Sequence, residues 1–232
     1  MGAQRRVLTR RVVIQLLIFI VLVPLLPLLI SGRWNWPEAW VYAAANIGGF
    51  AVSRALAARR HPDLIAERAR WLQHEDAKAW DRWLAPSAAL AGVGIPLIAG
   101  LDELLRWSPG FSIPVKGFSL LVFVAGSVLA SCALIENRFF SGMVRIQTDR
   151  GHHVVSGGPY RWIRHPGYAG ALLAFWSSAV LLDSWWAFLP AIVTTVLLVI
   201  RTQLEDTTLQ AELPGYGDYA RRVRFRLVPG VW

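Results

Sequence analysis

Between residues 157 and 170 the chain reads GGPYRWIRHPGYAG. Tyr160, Arg161, Trp162, Arg164, His165, Pro166 and Tyr168 crowd there between two glycine-containing turns, just ahead of a long apolar run. A guanidinium group can clamp a carboxylate through two parallel hydrogen bonds, and an aromatic face attracts cations. Arg201 and Glu205 add a second set, four residues apart, a spacing that permits a helical ion pair worth about 0.2–0.5 kcal/mol. Taken singly, each of these residues reads as an anchor or a turn. Arginines and aromatic rings collect where helices leave a membrane, Pro166 suits the first turn of a helix, and Glu205 with Asp206 can be a solvated helix end. Only the combination suggests a site.

The elements that must position this chemistry are membrane helices. Hydrophobic residues make up 55% of the 232, mean hydropathy is +0.41, and 17% are charged, against about 25% in soluble domains. A bilayer core of about 30 Å takes roughly 20 apolar residues in a helix. Residues 12–30, 37–58, 83–101 and 117–135 meet that length, and 167–200 carries a single charge, Asp183. The last stretch reads as a helical hairpin turning at DSWW, with arms of about 16 residues, or about 24 Å each. The expectation is therefore an all-α integral membrane protein of about six transmembrane helices.

The net charge of +9 needs no nucleic acid. With a cytoplasmic N-terminus, 21 of the 24 Lys and Arg residues fall in inside segments and only Arg33, Arg106 and Lys116 outside. That bias predicts N- and C-termini on the cytoplasmic side. Residues 59–82 carry Leu64, Ile65, Trp71, Leu72 and Trp80 among charges, as an interfacial helix would. The lone cysteine, Cys132, permits no internal disulfide and reads as a small core residue. His152 and His153 are a weak metal signal without a carboxylate or cysteine at ligand spacing, and no metal is expected. No repeat or linker divides the chain. It reads as one domain, 1–232, with N-terminal spans and the interfacial segment in 1–116 and a catalytic core in 117–232.

Because a hairpin brings its ends together, the polar segments 136–166 and 201–232 should meet on the cytoplasmic side. The ordered motifs GPYRWIRHPGY, then R-x-x-x-E-D-x-x-L, then Y-G-D-Y-x-x-R-V-R-F-R-L-V-P-G-V-W resemble the isoprenylcysteine carboxyl methyltransferase and phospholipid methyltransferase group. The resemblance covers about residues 117–232. It implies an integral membrane enzyme using S-adenosyl-L-methionine, with a cytoplasmic cofactor pocket and a lipophilic or lipid acceptor drawn from the bilayer. Carried across by position, the cofactor-binding residues are Gln147, His152, His153, Val154, Val155, Tyr160, His165, Pro166, Gly167, Tyr168 and Glu205. The catalytic set is Arg164, Arg201 and Glu205. Three departures stand out: Gly167 where the family often has serine or methionine, Asp206 in place of a second glutamate, and a Glu205–Tyr216 stretch about one residue shorter.

These residue types suit methyl transfer. Glu205 can accept from the ammonium of the cofactor, and Tyr160, Trp162 or Tyr168 can pack on adenine or face the sulfonium. Arg164 and Arg201 can hold an acceptor carboxylate, whereas an amine acceptor needs a base such as Glu205. No GxGxxG strand–turn–helix signal appears. Two rival readings share some features: a membrane NADPH-dependent reductase of the sterol type, and a non-catalytic membrane scaffold or transporter in which Pro24, Pro27 and Arg54 line a path. The arginine-rich composition suggests a bacterial inner membrane, or the endoplasmic reticulum in a eukaryote. Oligomeric state leaves no trace in the sequence.

Overall fold

The computed structural model describes residues 18–69 and 74–232. The first part of the predicted 12–30 span, the basic N-terminal segment, and Trp71 and Leu72 lie outside the described residues. Helix α1 (Val23–Ser31) follows a π-helical turn at Ile18–Leu22, and α2 spans Pro37–Arg60, α3 Pro62–Ala69 and α4 Asp81–Leu105. Then come α5 (Ile113–Glu136), α6 (Pro166–Leu181), α7 (Phe188–Glu212) and α8 (Tyr216–Arg222), with 3₁₀ turns at Thr148–Arg150 and Gly158–Arg161. Pro37, Pro62 and Pro166 open α2, α3 and α6, where a missing N–H costs nothing. No strand occurs among the described residues.

Helix α5 packs most closely on α6 and also on α2, while α4 packs on α1 and α7. Small residues make the α5–α6 crossing possible. A Cβ on Gly126 would lie 2.6 Å from Gly170 O and 2.9 Å from Ala174 N, so the two backbones touch. This is the close approach that glycines allow between membrane helices. Farther from the site, Leu28, Trp36, Tyr42, Ile95, Phe123 and Leu182 form the main apolar cluster. Buried Trp36 is part of that core, whereas Trp34, Trp40, Trp185 and Trp186 are exposed nearby as belt residues would be.

Among the described residues three helices are long and apolar enough to cross a membrane: α4, α5 and α7. The apolar segments Ile20–Ser31 and Pro166–Leu181 are shorter, and α2 is long but carries Arg54, Arg59 and Arg60 toward its end. The hairpin turn falls between Leu181 and Phe188 around DSWW, but its arms are unequal, with 16 residues in α6 and 25 in α7. The second arm does not stop at Ile200. It continues through RTQLEDTTLQAE and so carries the charged residues on a rigid helix. Within the described residues the interfacial segment shows an eight-residue helix, α3. Cys132 is exposed on the outside of the bundle and is not a core residue.

Candidate active site

The extension of α7 past its apolar part fixes Arg201, Glu205 and Asp206 on successive turns, and two other segments fold against it. Asp206 is fully buried and gathers the assembly. Its carboxylate receives Arg164 Nε at 2.7 Å and Nη2 at 2.9 Å, a bidentate fork. It also accepts from Arg226 Nε at 2.9 Å, Tyr216 Oη at 3.1 Å and Gln210 Nε2 at 2.8 Å. His165 Nε2 lies 3.3 Å away. Arg164 then donates Nη1 to the carbonyls of Val223 and Arg224, at 2.7 and 2.9 Å. The backbone N–H groups of Arg164 and His165 donate to Phe225 O and Arg226 O, both at 2.9 Å. Thus the GPYRWIRHP turn, α7 and the C-terminal segment are stapled into one body. Burial disfavours the Arg164 charge, but Asp206 outweighs it and holds the guanidinium protonated above its ordinary value.

Arg201 is also spoken for. It does not pair with Glu205 as helical spacing suggested. Its Nε and Nη2 donate to Asp81 at 2.7 and 2.8 Å, and Nη2 also to Gly142 O at 2.9 Å. Asp81 opens α4, 120 residues away in sequence, and is itself fully buried. That partner outcompetes Glu205 because it offers two oxygens squarely to the fork in a dry site. The Arg201 guanidinium sits 5.3 Å from the Tyr168 ring centre, and His165 stacks on the same tyrosine at 5.9 Å with planes 8° apart. Tyr168 Oη donates to Glu205 Oε2 at 2.5 Å. Among the described residues no cation pairs with Glu205.

The loop between α5 and α6 supplies the other wall. Gly158 has φ +52, a left-handed turn that glycine takes without strain. That turn delivers Tyr160, whose ring packs on Ala133, Leu213, Tyr216 and Tyr219, joined by Val154 and Val155. Tyr219 Oη donates to Tyr160 O at 2.7 Å. Burial raises the phenols of Tyr160, Tyr216 and Tyr219 above their ordinary range, so all three stay neutral. His152 leans on Phe139 with ring centres 4.5 Å apart and accepts from the Gln147 N–H at Nδ1, 3.2 Å away. Burial, with help from neighbouring positive charge, pulls His152 down to about 4. Gly167 has a local reason: a side chain there would meet the Phe140 ring at 2.6 Å.

A cavity of about 1010 Å³ opens between these segments. His152, His153, Val154, Val155, Tyr160, Arg164, His165, Gly167, Tyr168, Arg201 and Glu205 all line it. Gln147 and Pro166 do not. Gln147 is buried in the loop, donating Nε2 to Phe139 O at 2.7 Å and accepting from Arg150. Pro166 is buried as the first residue of α6. Trp162 points away, 74% exposed. No group of three or more possible metal ligands occurs among the described residues.

Several lining residues were not in the sequence-derived set: Asn137, Phe140, Tyr216 and Tyr219 beside the site, and Arg54 and Arg68 from α2 and α3. The paired tyrosines of YGDY were a usable signal. So was the recurrence of small residues at helical spacing, Ala45-Gly49-Ser53, Ala85-Ala88-Ala89 and Ser127-Ala130-Ser131, all of which face the cavity.

The geometry defines an all-helical, multi-pass membrane fold with a largely apolar cavity at one end that carries a few charged groups. Residues 115–213 match the model of the phospholipid methyltransferase family. Protein-S-isoprenylcysteine O-methyltransferase A of Arabidopsis thaliana is 34% identical over 64 residues, 27% of this chain and 32% of that protein. The B form from the same plant is 33% identical over the same length and shares of chain. A probable protein-S-isoprenylcysteine O-methyltransferase of Oryza sativa subsp. japonica is 33% identical over 60 residues, 25% of this chain and 31% of that one. The matched stretch thus spans about a third of the length of these curated relatives. The solved structure of a eukaryotic intramembrane Ras methyltransferase, an isoprenylcysteine carboxyl methyltransferase, superposes with a TM-score of 0.57 at 18% identity, covering 92% of this chain and 74% of that one. That likeness shows a shared fold. Residues 115–213 are thus similar to the phospholipid methyltransferase family, and a shorter stretch is similar to the isoprenylcysteine O-methyltransferases.

Proposed function

We propose that the protein is an S-adenosyl-L-methionine-dependent methyltransferase acting on a carboxylate or amine of a small lipophilic acceptor held in the bilayer. One observation carries the reading. The 152–155 segment, Tyr160, the His165–Tyr168 turn and Glu205 come from separate stretches of chain and converge on one cavity.

The residues present fit that cofactor. Glu205 is a carboxylate in a cavity with a tyrosine hydroxyl as its partner and no cation among the described residues, which suits an ammonium group. The neutral rings of Tyr160 and Tyr168 beside it suit an adenine or a sulfonium. When bound, S-adenosyl-L-methionine supplies an electrophilic methyl group. Tyr168 holds one oxygen of Glu205 and leaves the other to the cavity. Asp81 fixes the Arg201 fork, leaving Nη1 without a partner among the described residues and free for an acceptor oxygen. For an amine acceptor, Glu205 is the nearest base. Alignment and exclusion of water supply the rate.

Arg164 takes a different role from the one its position in the motif implied. With Asp206 and two carbonyls already on its guanidinium, it is a positioning residue that joins the turn to the C-terminus. Gln147 and Pro166 act likewise, by holding the loop and starting α6. Both termini are proposed to be cytoplasmic, in a six-span arrangement that forms one domain over 1–232. The membrane is proposed to be a bacterial inner membrane, or the endoplasmic reticulum in a eukaryotic source.

Equilibrium binding of S-adenosyl-L-methionine and NADPH to the purified protein tests the reading. The expected result is binding of the former, with label from its methyl group recovered in a lipid extract by mass spectrometry. Binding of NADPH alone would transfer the assignment to the reductase class. Binding of neither would favour the non-catalytic membrane protein.

A further inference from the structure

The cavity lies at the top of the range of about 300–1,000 Å³ typical of small-ligand sites, and part of its wall lies outside the region shared with the family. Arg54, near the end of α2, and Arg68, on α3, both line it. Their surroundings differ from those of Arg164 and Arg201. Arg54 stands 4.4 Å from the centre of the Phe50 ring and makes no hydrogen bond or ion pair among the described residues. Arg68 lies 5.3 Å from the Phe140 ring and donates Nη1 to Phe140 O at 3.1 Å. It too meets no carboxylate among the described residues. Each repels the other's charge, and Arg201 adds to that repulsion at Arg68. Burial and then Arg201 pull Arg68 down to about 10.

Two like charges turned into a partly dry cavity oppose folding. Elsewhere at this end of the molecule buried arginines have carboxylates: Arg145 has Glu67 at 3.0 Å, Arg164 has Asp206 and Arg201 has Asp81. The missing anion therefore belongs to a ligand. Beyond the two guanidinium groups the cavity wall is largely apolar and includes many small side chains, with Ala45 and Gly49 on α2, Ala85 and Ala88 on α4 and Ala130 on α5, beside larger Phe50 and Phe175. Small residues on facing helices leave the width that an alkyl chain fills. Arg54 and Arg68 line the same cavity as Tyr168, Arg201 and Glu205, and Arg68 is near enough to Arg201 to feel its charge.

We propose that Arg54 and Arg68 form a head-group subsite for the methyl acceptor, taking an amphiphile with an anionic head, carboxylate or phosphate, whose chain lies along the small-residue corridor. The inference rests on the methyl-transfer reading and adds the charge class of the acceptor. A cationic amine head would face two uncompensated guanidinium groups and be rejected.

The test uses the full-length protein in nanodiscs of zwitterionic lipid. Radiolabelled laurate and dodecyl phosphate are bound at equilibrium and competed with dodecanol and dodecylammonium. At least one anion should bind tenfold or more tighter than dodecanol, with dodecylammonium weakest. Which anion wins separates a carboxylate from a phosphate head. Replacing both arginines, Arg54→Gln with Arg68→Gln, should erase the tenfold preference, whereas Arg54→Lys with Arg68→Lys should keep it. Arg33→Gln, at the other end of the bundle, should leave it intact. Equal affinity for anions and dodecanol in the wild type overturns the proposal, as does a preference that survives the double glutamine change. Should the glutamine variant fail to fold, the wild-type head-group comparison and the lysine variant decide. S-Adenosyl-L-methionine binding is measured on the same samples. A protein that binds it yet ignores head-group charge refutes the subsite and keeps the methyl-transfer reading. One that prefers anions without binding it keeps the anion subsite and loses methyl transfer.

Discussion

At the end of the bundle that carries Lys116, the basic residues are matched by acids. Arg33 reaches Glu103 at 2.6 Å and Arg106 reaches the same carboxylate at 3.2 Å, while Lys116 joins Glu38 and, at 3.0 Å, Asp183. Asp102 is satisfied by Ser108 and Ser184. The cavity among these groups is about 160 Å³. At the opposite end the cavity is about 1010 Å³, and among the described residues Glu205 has no cation and Arg54 and Arg68 have no anion. Both ends place charge at the boundary of an apolar bundle, so membrane anchoring alone would have produced two similar ends. The difference teaches which charges hold the fold and which await a ligand. A pair closed within the protein is structural. A charge left open toward a large cavity has its partner elsewhere.

The sharpest way to break the comparison is to turn a closed charge into an open one at the site end. Asp206→Ala leaves buried Arg164 and half-buried Arg226 without their carboxylate. Removing one partner of a buried pair costs about 3–5 kcal/mol, so thermal or denaturant unfolding in detergent should show a loss of that order. A loss below about 1 kcal/mol would mean that Asp206 is not the staple of this end. Glu205→Gln asks the converse. It should leave the melting temperature nearly unchanged, because no cation loses its partner, yet reduce S-adenosyl-L-methionine-dependent turnover at least a hundredfold, equal to about 2.7 kcal/mol. A variant that keeps turnover removes Glu205 from the site.

Much of this contrast was readable in the residues and some was not. Apolar run lengths located α4, α5 and the α6–α7 hairpin, because a bilayer demands length and hydrophobicity together. The bracketing of that hairpin by two polar segments predicted that Tyr160 and Glu205 would share a space, and both line the same cavity. What the sequence concealed was partnership across long separations. Asp81 and Arg201 lie 120 residues apart, and nothing local favours that pairing over Arg201 with Glu205. Nor did helical periodicity show that α7 would run unbroken to Glu212, because charge alone ends a membrane span but does not end a helix. Cys132 misled for a related reason: in a bilayer, an apolar residue has no need to face the core.

Smaller effects sharpen the far end. Lys116→Met removes the shared cation from Glu38 and Asp183, groups that are neither fully buried nor free in solvent. The cost should fall between that of a surface pair and that of a buried one, about 1–2 kcal/mol. Turnover per folded molecule should not change, since the cavity lies at the other end. A fall in turnover larger than the fall in folded fraction would couple the two ends and weaken the contrast between them.

The smallest expected effect is a pH response confined to the site end. His152 is held down to about 4 by burial first and by the nearby positive charges of His153, Arg145 and Arg150 second, against an ordinary value of about 6.5. Its folded-state pKa is thus depressed, and the unfolded chain binds the extra proton more readily. Stability supplied by the neutral ring is present above about pH 6.5 and is lost as pH falls toward 4. The melting temperature should therefore decline across that window in the wild type and decline less in His152→Asn, which keeps an acceptor near the Gln147 N–H. The far-end variant Lys116→Met should follow the wild-type slope, displaced downward. Equal slopes in the wild type and His152→Asn would show that His152 does not titrate as its burial against Phe139 requires.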